Sequence, residues 1–163
     1  DHRDLHLSIR RQRQMCIRDS AYPDVFSKRC ADIINPDVAN TGGILELKEI
    51  GAMAEANQVA MSPHNYNSTT IALASTLQAA ITMPNFLITE YFLPFEKVGL
   101  DITDNPLIPK DGYITLNDSP GLGISLNEDK LKNYPYKEFK RSLPSRANEG
   151  FYGGAWPDNT GTN

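Results

Sequence analysis

The sequence of 163 residues has little cysteine, no excess of basic charge and no long apolar run. Its two cysteines have no CxxC spacing and are too few for a disulfide framework, so a reducing, cytoplasmic location is expected. Lys and Arg number 16 against 20 for Asp and Glu, which argues against a nucleic-acid partner. No run approaches the ~18 apolar residues of a membrane span, so no membrane partner is expected. A complete eight-stranded (β/α) barrel usually needs ~250 residues, so any barrel in this chain must be incomplete.

The first twenty residues differ in composition from the rest of the chain. They hold five arginines and little apolar periodicity. The stretch RQRQMCIRDS resembles translated sequencing-adaptor read-through, so residues 1–20 are predicted to be a non-native leader. A basic arm or a targeting signal is the alternative. His2 and His6 lie four residues apart, but no third ligand accompanies them, so no metal site is predicted there.

Short apolar runs alternate with longer helical patterns from residue 31 onward. The runs 31–34, 59–61 and 86–88 predict three strands, each closed by turn-forming or polar residues. Two helices are predicted after the first two strands. Their apolar residues recur at helical spacing, as Ile44, Leu47, Ile50 and Ala54 in the first helix and as Ile71, Ala74, Leu77, Gln78 and Ile81 in the second. The chain therefore repeats a strand-loop-helix unit.

One polar residue ends each of the three predicted strands. Asp37, His64 and Glu90 follow one another at spacings of 27 and 26 residues. Near-equal spacing of strand ends is typical of a parallel sheet, because each crossover returns the chain to the same starting edge. We therefore expect all three residues at the carboxyl edge of the strands, where α/β enzymes carry out their chemistry.

These three residue types suit proton transfer. A carboxylate beside an imidazole holds it in one tautomer and makes it more basic, so we expect Asp37 to orient His64 as an acid or base. Glu90 is expected to hydrogen-bond to charge that develops on a substrate oxygen. Each residue also has a structural interpretation, as a helix cap, a loop histidine and a solvated strand end. Their matched positions favour the chemical interpretation.

Four short segments, in the same order along the chain, resemble those of a known family. They are NPD with TGGI within residues 35–44, SPHN at 62–65, NFLITEY at 85–91 and GLGI at 121–124. The chain resembles the mandelate racemase and muconate lactonizing enzyme group of the enolase superfamily, and within it the acid-sugar dehydratases of the galactonate type. The resemblance implies an α/β fold, a partial (β/α) TIM-type barrel made of the last three βα units, followed by a segment of the C-terminal capping domain.

The resemblance also implies a mechanism. Asp37 and His64 would form the acid/base dyad, and Glu90 would assist the enolate. The implied reaction removes the proton α to a carboxylate and eliminates the β-hydroxyl as water, giving a 2-keto-3-deoxy sugar acid. Mg²⁺ is implied for the full-length enzyme, with its ligands on strands that this chain lacks, so none is expected on the fragment. A racemase, epimerase or cycloisomerase is the alternative reaction, and a non-catalytic truncated barrel is the alternative to an enzyme.

The pattern changes after the third unit. Three prolines predict an irregular connection over 94–112, and residues 111–116 predict a turn followed by a strand. The segment Ser119-Pro120-Gly121-Leu122-Gly123 predicts a tight turn without phosphate binding. Asn127 precedes a short helical pattern through Leu131 and is expected to cap it.

These patterns divide the chain into four predicted parts. After the leader, residues 21–100 form the barrel part and residues 101–141 a C-terminal segment with a turn, a strand and a short helix. Residues 142–163 have too little aliphatic content for a core and are predicted to be a poorly ordered tail. The implied partner is a small sugar acid, and the full-length parent is expected to be a homo-oligomer.

Overall fold

Helices and short parallel segments alternate along the described part of the chain. The computed structural model describes residues 22–66 and 68–136. The chain divides into two units, Asp1–Asn133 and Tyr134–Asn163, and all elements below belong to the first. The predicted leader and the predicted tail lie outside the described residues.

The helices predicted from residue 31 onward and the first two predicted strands are present, whereas the strands predicted at 86–88 and within 111–116 are not formed. In chain order the elements are α1 (Tyr22–Ser27), β1 (Ile33–Ile34), α2 (Val38–Thr41), α3 (Ile44–Ala56), β2 (Ala60–Met61), α4 (Thr70–Ala80), a 3-10 turn (Leu93–Phe95), α5 (Glu96–Ile102) and α6 (Glu128–Leu131). β1 and β2 pair in parallel, with Ile33 opposite Ala60. This pairing confirms the parallel direction that the spacing predicts. No helix among the described residues is long and apolar enough to cross a bilayer.

The prediction of a third strand at 86–88 is wrong, because this segment makes only a single parallel bridge, between Phe86 and Met61. Leu87 N donates to Met61 O at 2.8 Å. The next bond of a parallel ladder needs an N–H from residue 63, which is a proline and has none. Thr89 Oγ1 donates to Pro63 O at 2.7 Å, so a side chain takes over where the ladder stops.

A second proline limits the ladder between β1 and β2 in the same way. His64 N donates to Pro36 O at 3.0 Å. Pro36 has no N–H to return to the carbonyl of Ser62, and the side chain of Asn35 does so instead, with Nδ2 at 2.8 Å from Ser62 O. Both prolines are fully buried. Polar side chains therefore replace the two missing amides inside the protein.

Helix α3 packs through the apolar face that its sequence predicts. Leu47, Ile50 and Ala54 are fully buried, while Ile44, the fourth predicted member, is exposed. They belong to a core cluster that also takes in both strands and α1, made of Tyr22, Phe26, Ala31, Ile34, Val38, Leu47, Ile50, Ala54, Val59, Met61, Ala79 and Met83. The buried side chains of β1 and β2, Ile34 and Met61, thus pack in one core with those of α1 and α3.

The apolar face predicted for α4 is partly wrong. Ala74 and Leu77 are buried as expected, but Ile71 and Ile81 are exposed. The helix is buried on two sides, because its residues belong to two clusters. Leu73, Ala74 and Leu77 pack in one with Leu107, and Ala79 packs in the other. A pattern that assumes one buried face per helix does not detect this.

The irregular connection predicted over 94–112 is also wrong in part, since α5 lies within it. Pro94 stands in the first positions of the 3-10 turn that leads into α5. At the start of a helical segment the backbone N–H groups have no acceptor within the helix, so the absence of an N–H in proline removes no hydrogen bond there. A residue that usually ends helices therefore begins one here.

The predicted strand within 111–116 is not formed. Asp111 and Gly112 make the predicted turn with positive φ, which closes a single antiparallel bridge between Lys110 and Tyr113. The tight turn that ends at Gly123 is present, with Gly123 N donating to Pro120 O. The cap of α6 is confirmed as well, because the side chain of Asn127 accepts from Lys130 N at 3.1 Å.

Two leucines on α3 provide a matched test of this packing. Leu47→Ala should lower the free energy of unfolding by about 2–5 kcal/mol, because it opens a cavity in the core. Leu45→Ala, on the exposed face of the same helix, should change it by less than about 0.5 kcal/mol. Urea denaturation of the full chain measures both, and equal losses from the two variants would contradict the orientation of α3.

Candidate active site

Asp37 lies three residues after the end of β1 and immediately before α2. Its backbone is extended, and Oδ1 accepts from Ala39 N at 2.9 Å and from Asn40 N at 3.2 Å. Asp37 is thus the N-cap of α2, and these bonds satisfy amides that the first turn of a helix leaves unpaired. The structural interpretation of this residue is confirmed, although the helix it caps is a short one that the sequence did not predict.

The second oxygen of the same carboxylate contacts His64. Asp37 Oδ2 lies 2.8 Å from His64 Nδ1, and the two residues form a parallel bridge between neighbouring segments. A carboxylate only accepts, so Nδ1 carries the proton and donates it to Asp37. The other ring nitrogen, Nε2, is left to exchange a proton with a further group. Both side chains are largely buried, at 5% and 13% exposed.

The surroundings of His64 favour its protonated form. The hydrogen bond to Asp37 raises the pKa of His64 above its ordinary value of 6.5. Burial opposes this rise in pKa, and the negative charges of Glu90 and Asp37 add to it. The imidazole is therefore a stronger base than a histidine in water.

Glu90 lies on the far side of the ring. Its Oε2 is 3.6 Å from His64 Nε2, a separation typical of an ion pair and slightly long for a hydrogen bond. The Glu90 side chain is 51% exposed, which also agrees with the solvated strand end considered above. The imidazole thus separates a buried carboxylate from an exposed one.

The structure brings together all three residues that the sequence singled out. The order is Asp37, His64, Glu90, from the buried side to the open side, and one residue comes from each of three adjacent segments. An imidazole held this way can accept a proton at Nε2 while Nδ1 stays bonded to a carboxylate. The arrangement is suited to moving a proton at the open edge of the sheet.

Sequence reasoning missed the contacts of Asn65. Its backbone N–H donates to Glu90 Oε2 at 3.1 Å, and its side chain lies within hydrogen-bond reach of Glu90 O and of Ser68 Oγ. The SPHN segment contains Asn65, but an asparagine after a histidine in a loop is also typical of an ordinary turn. No sequence signal separates the two cases.

Aromatic rings extend from the site along one side. The ring of Tyr66 lies 5.9 Å from that of His64, and Phe92 meets Tyr66 edge to face at 4.7 Å. Phe95 continues the row at 5.2 Å from Phe92. Tyr66 thus borders the His64 imidazole, and Phe92 and Phe95 continue the apolar row beyond it.

The described residues do not fit a metal centre. Across 22–66 and 68–136, no group of three or more His, Cys, Asp or Glu side chains is arranged to hold a metal ion. A hard cation such as Mg²⁺ takes about six oxygen ligands, including carboxylates. Asp37 offers no carboxylate oxygen that is not already bonded to an amide or to His64. The arrangement of Asp37, His64 and Glu90 among the described residues is thus better suited to moving a proton than to holding a cation.

The chain is similar to proteins of known family. A family model described as enolase C-terminal domain-like matches residues 15–130, more than half of the chain. The chain belongs to this enolase family. The family suspected from the sequence segments is thereby confirmed, and the matched range contains Asp37, His64 and Glu90.

Named relatives agree with the family. A D-galactonate dehydratase family member from Streptomyces bingchenggensis is 32% identical over 114 residues, covering 69% of this chain and 28% of the relative. An enolase from Agrobacterium radiobacter, solved with Na and L-malate, is 30% identical with a TM-score of 0.71, covering 80% of this chain and 36% of its own. An enolase from Pantoea ananatis, solved with D-gluconate and Mg, is 26% identical with a TM-score of 0.65, covering 71% and 28%. The enolase-family chain thus spans about three-tenths of the curated relatives it matches.

Two substitutions at Asp37 separate its structural and electrostatic roles. Asp37→Asn keeps a good N-cap residue but removes the charge beside His64, whereas Asp37→Ala removes both. The pKa of His64 should fall in both variants, and only the alanine variant should also lose the cap, about 1 kcal/mol of stability. Histidine NMR titration and urea denaturation of the full chain measure the two effects.

The same pair predicts a pH dependence with a defined sign. The pKa of His64 is raised by folding, so the stability that the pair contributes is complete below pH 6.5 and is lost as pH rises through the folded-state pKa. The stability difference between wild type and Asp37→Asn should therefore shrink as pH increases above 6.5. A difference that grows over this range would contradict the ion-pair description.

Proposed function

We propose that the chain is the C-terminal barrel part of an acid-sugar dehydratase in which His64 exchanges the proton α to the substrate carboxylate. The observation that carries this proposal is the 2.8 Å contact between Asp37 and His64 Nδ1, which leaves Nε2 facing the open side. The relatives support it, since several are named as galactonate, mannonate or gluconate dehydratases.

The first step is proton abstraction. Neutral His64 takes the proton from the carbon next to the carboxylate through Nε2, and the C–H electrons move into an enolate. The imidazolium that forms is stabilised by Asp37 on Nδ1. Because Asp37 is almost fully buried, its charge acts with little screening by solvent.

The second step is loss of the β-hydroxyl. The enolate electrons return to form a carbon–carbon double bond as the carbon–oxygen bond breaks, and a proton joins the departing oxygen to give water. Protonated His64 is the group in the described site that is suited to supply that proton. The resulting enol takes up a proton at carbon 3 and loses its O–H proton to solvent, which gives the 2-keto-3-deoxy acid.

Glu90 has a supporting role in this proposal. It lies at the open side of the ring, within 3.6 Å of the reacting nitrogen, so a substrate that reaches Nε2 also reaches Glu90. A carboxyl group that carries or shares a proton can donate it to an oxygen on which charge develops. Glu90 is therefore placed to bind the enolate oxygen.

We also propose that the three repeated segments are the last three units of a (β/α) barrel. In support, apolar side chains are exposed at both sides of the small sheet, namely Ile33 on β1 and Leu87 and Ile88 beyond the last bridge. Neighbouring strands of a closed barrel would cover such residues. The metal of the parent enzyme would belong to that remaining part, and no step assigned here to this chain passes through it.

Substitution of the base tests the proposal. In the full-length enzyme, His64→Asn should abolish exchange of the substrate α-proton with solvent deuterium, because asparagine cannot accept the proton at neutral pH. Asn57→Ala, at an exposed asparagine at the end of α3, is the control and should leave exchange unchanged. Proton NMR of D-galactonate or D-gluconate in D₂O measures it, and normal exchange in His64→Asn would remove His64 from the base role.

Product analysis separates the dehydratase from its nearest alternative. The same imidazole could return the proton to the carbon, which would make the enzyme a racemase or epimerase. A dehydratase should convert the sugar acid to a product with a CH₂ group at carbon 3 and no hydroxyl there, visible by ¹³C NMR. If the product is instead an epimer that keeps all its hydroxyl groups, the dehydration proposal is wrong, while the role of His64 in proton exchange is still supported.

A further inference from the structure

Asn65 connects the loop after β2 to Glu90 through two separate groups. Its backbone N–H donates to Glu90 Oε2 at 3.1 Å, and its side-chain Nδ2 is 3.4 Å from Glu90 O. From these contacts we propose that Asn65 is a positioning residue that holds the Glu90 carboxylate against His64 Nε2. The inference rests on the proposed function, in which Glu90 serves the reacting nitrogen.

Glu90 needs such support because its own segment is weakly attached. The parallel ladder stops at the bridge between Met61 and Phe86, since Pro63 has no N–H to continue it. Beyond that bridge, the hydroxyl of Thr89 bonds to Pro63 O, and Glu90 follows with a long side chain that is half exposed. Ordering a glutamate in one rotamer costs conformational entropy, so an unsupported carboxylate would leave the ring and enter solvent.

Asn65 is itself well fixed. It is 3% exposed, and its Oδ1 accepts from Ser68 Oγ at 2.6 Å. With the amide oriented by Ser68, the nitrogen end of the side chain points to the backbone of Glu90. The rigid partner in this contact is therefore the asparagine, and the partner that gains order is the glutamate.

The geometry links Asn65 to His64 through a single oxygen atom. Glu90 Oε2 lies 3.1 Å from Asn65 N and 3.6 Å from His64 Nε2. Moving this oxygen away would remove one of the two negative charges that raise the pKa of His64, while the Asp37 contact on Nδ1 would remain. The ring of Tyr66 also lies near the imidazole, at 5.9 Å between ring centroids.

Histidine titration in the full chain tests the inference. The protein is labelled with ¹³C-histidine, and the His64 signal is identified by its loss in His64→Asn. Asn65→Ala keeps the backbone N–H but removes the side-chain contacts with Glu90 O and Ser68 that fix it beside the carboxylate. It should therefore move the His64 midpoint to lower pH, in the same direction as Glu90→Gln but by less than that variant. Ser68→Ala, which removes only the support of the asparagine, should give a smaller shift in the same direction. Asn57→Ala, an exposed asparagine that caps the end of α3, should give none.

A double variant decides whether Asn65 acts through Glu90. In a Glu90→Gln background, Asn65→Ala should cause no further shift, because the charge it positions is already gone. An equal shift in both backgrounds, or a wild-type midpoint in both Asn65→Ala and Ser68→Ala, would overturn the inference. The outcome is independent of the proposed reaction, since failure of that reaction would appear as normal proton exchange in His64→Asn while these titration shifts persist.

Discussion

Two buried prolines determine how the site is built. Pro36 and Pro63 each stand one residue before a proposed functional residue, and each removes an N–H from the parallel ladder. The strands therefore end at the same level, with the pairing still in register, because His64 N bonds to Pro36 O. That register makes Asp37 and His64 opposite partners and brings their side chains to 2.8 Å.

A single carboxylate serves both the fold and the chemistry. One oxygen of Asp37 satisfies the first amides of α2, and the other orients His64. Because the helix start fixes the carboxylate, the imidazole contacts a group that cannot rotate away without losing the cap. Glu90 Oε2 accepts from one backbone amide, that of Asn65, and the segment of Glu90 is attached by side chains that replace the interrupted ladder. The buried half of the site is thus rigid, and the open half is held by fewer contacts.

The sequence was sufficient to predict that Asp37, His64 and Glu90 lie together and that helices lie on either side of β2. Repeated units of near-equal length must return to the same sheet edge, so spacing alone brought Asp37, His64 and Glu90 together. The same reasoning could not predict that the third segment makes only a single bridge, because that outcome depends on Pro63 in a neighbouring segment. The contacts of Asn65 depend equally on a partner 25 residues away. Local patterns also failed for α5, where a proline begins a helix instead of ending one.

In the proposed reaction, His64 Nε2 faces the α-carbon of a sugar-acid substrate. A crystal structure of the full-length protein with bound D-gluconate tests it most directly. The account predicts carbon 2 of the ligand within about 3–3.5 Å of Nε2, the distance of a reactive complex, and a carboxylate oxygen of the ligand beside Glu90. A ligand bound beyond the reach of the imidazole, or an imidazole whose Nε2 points away from it, would contradict the account.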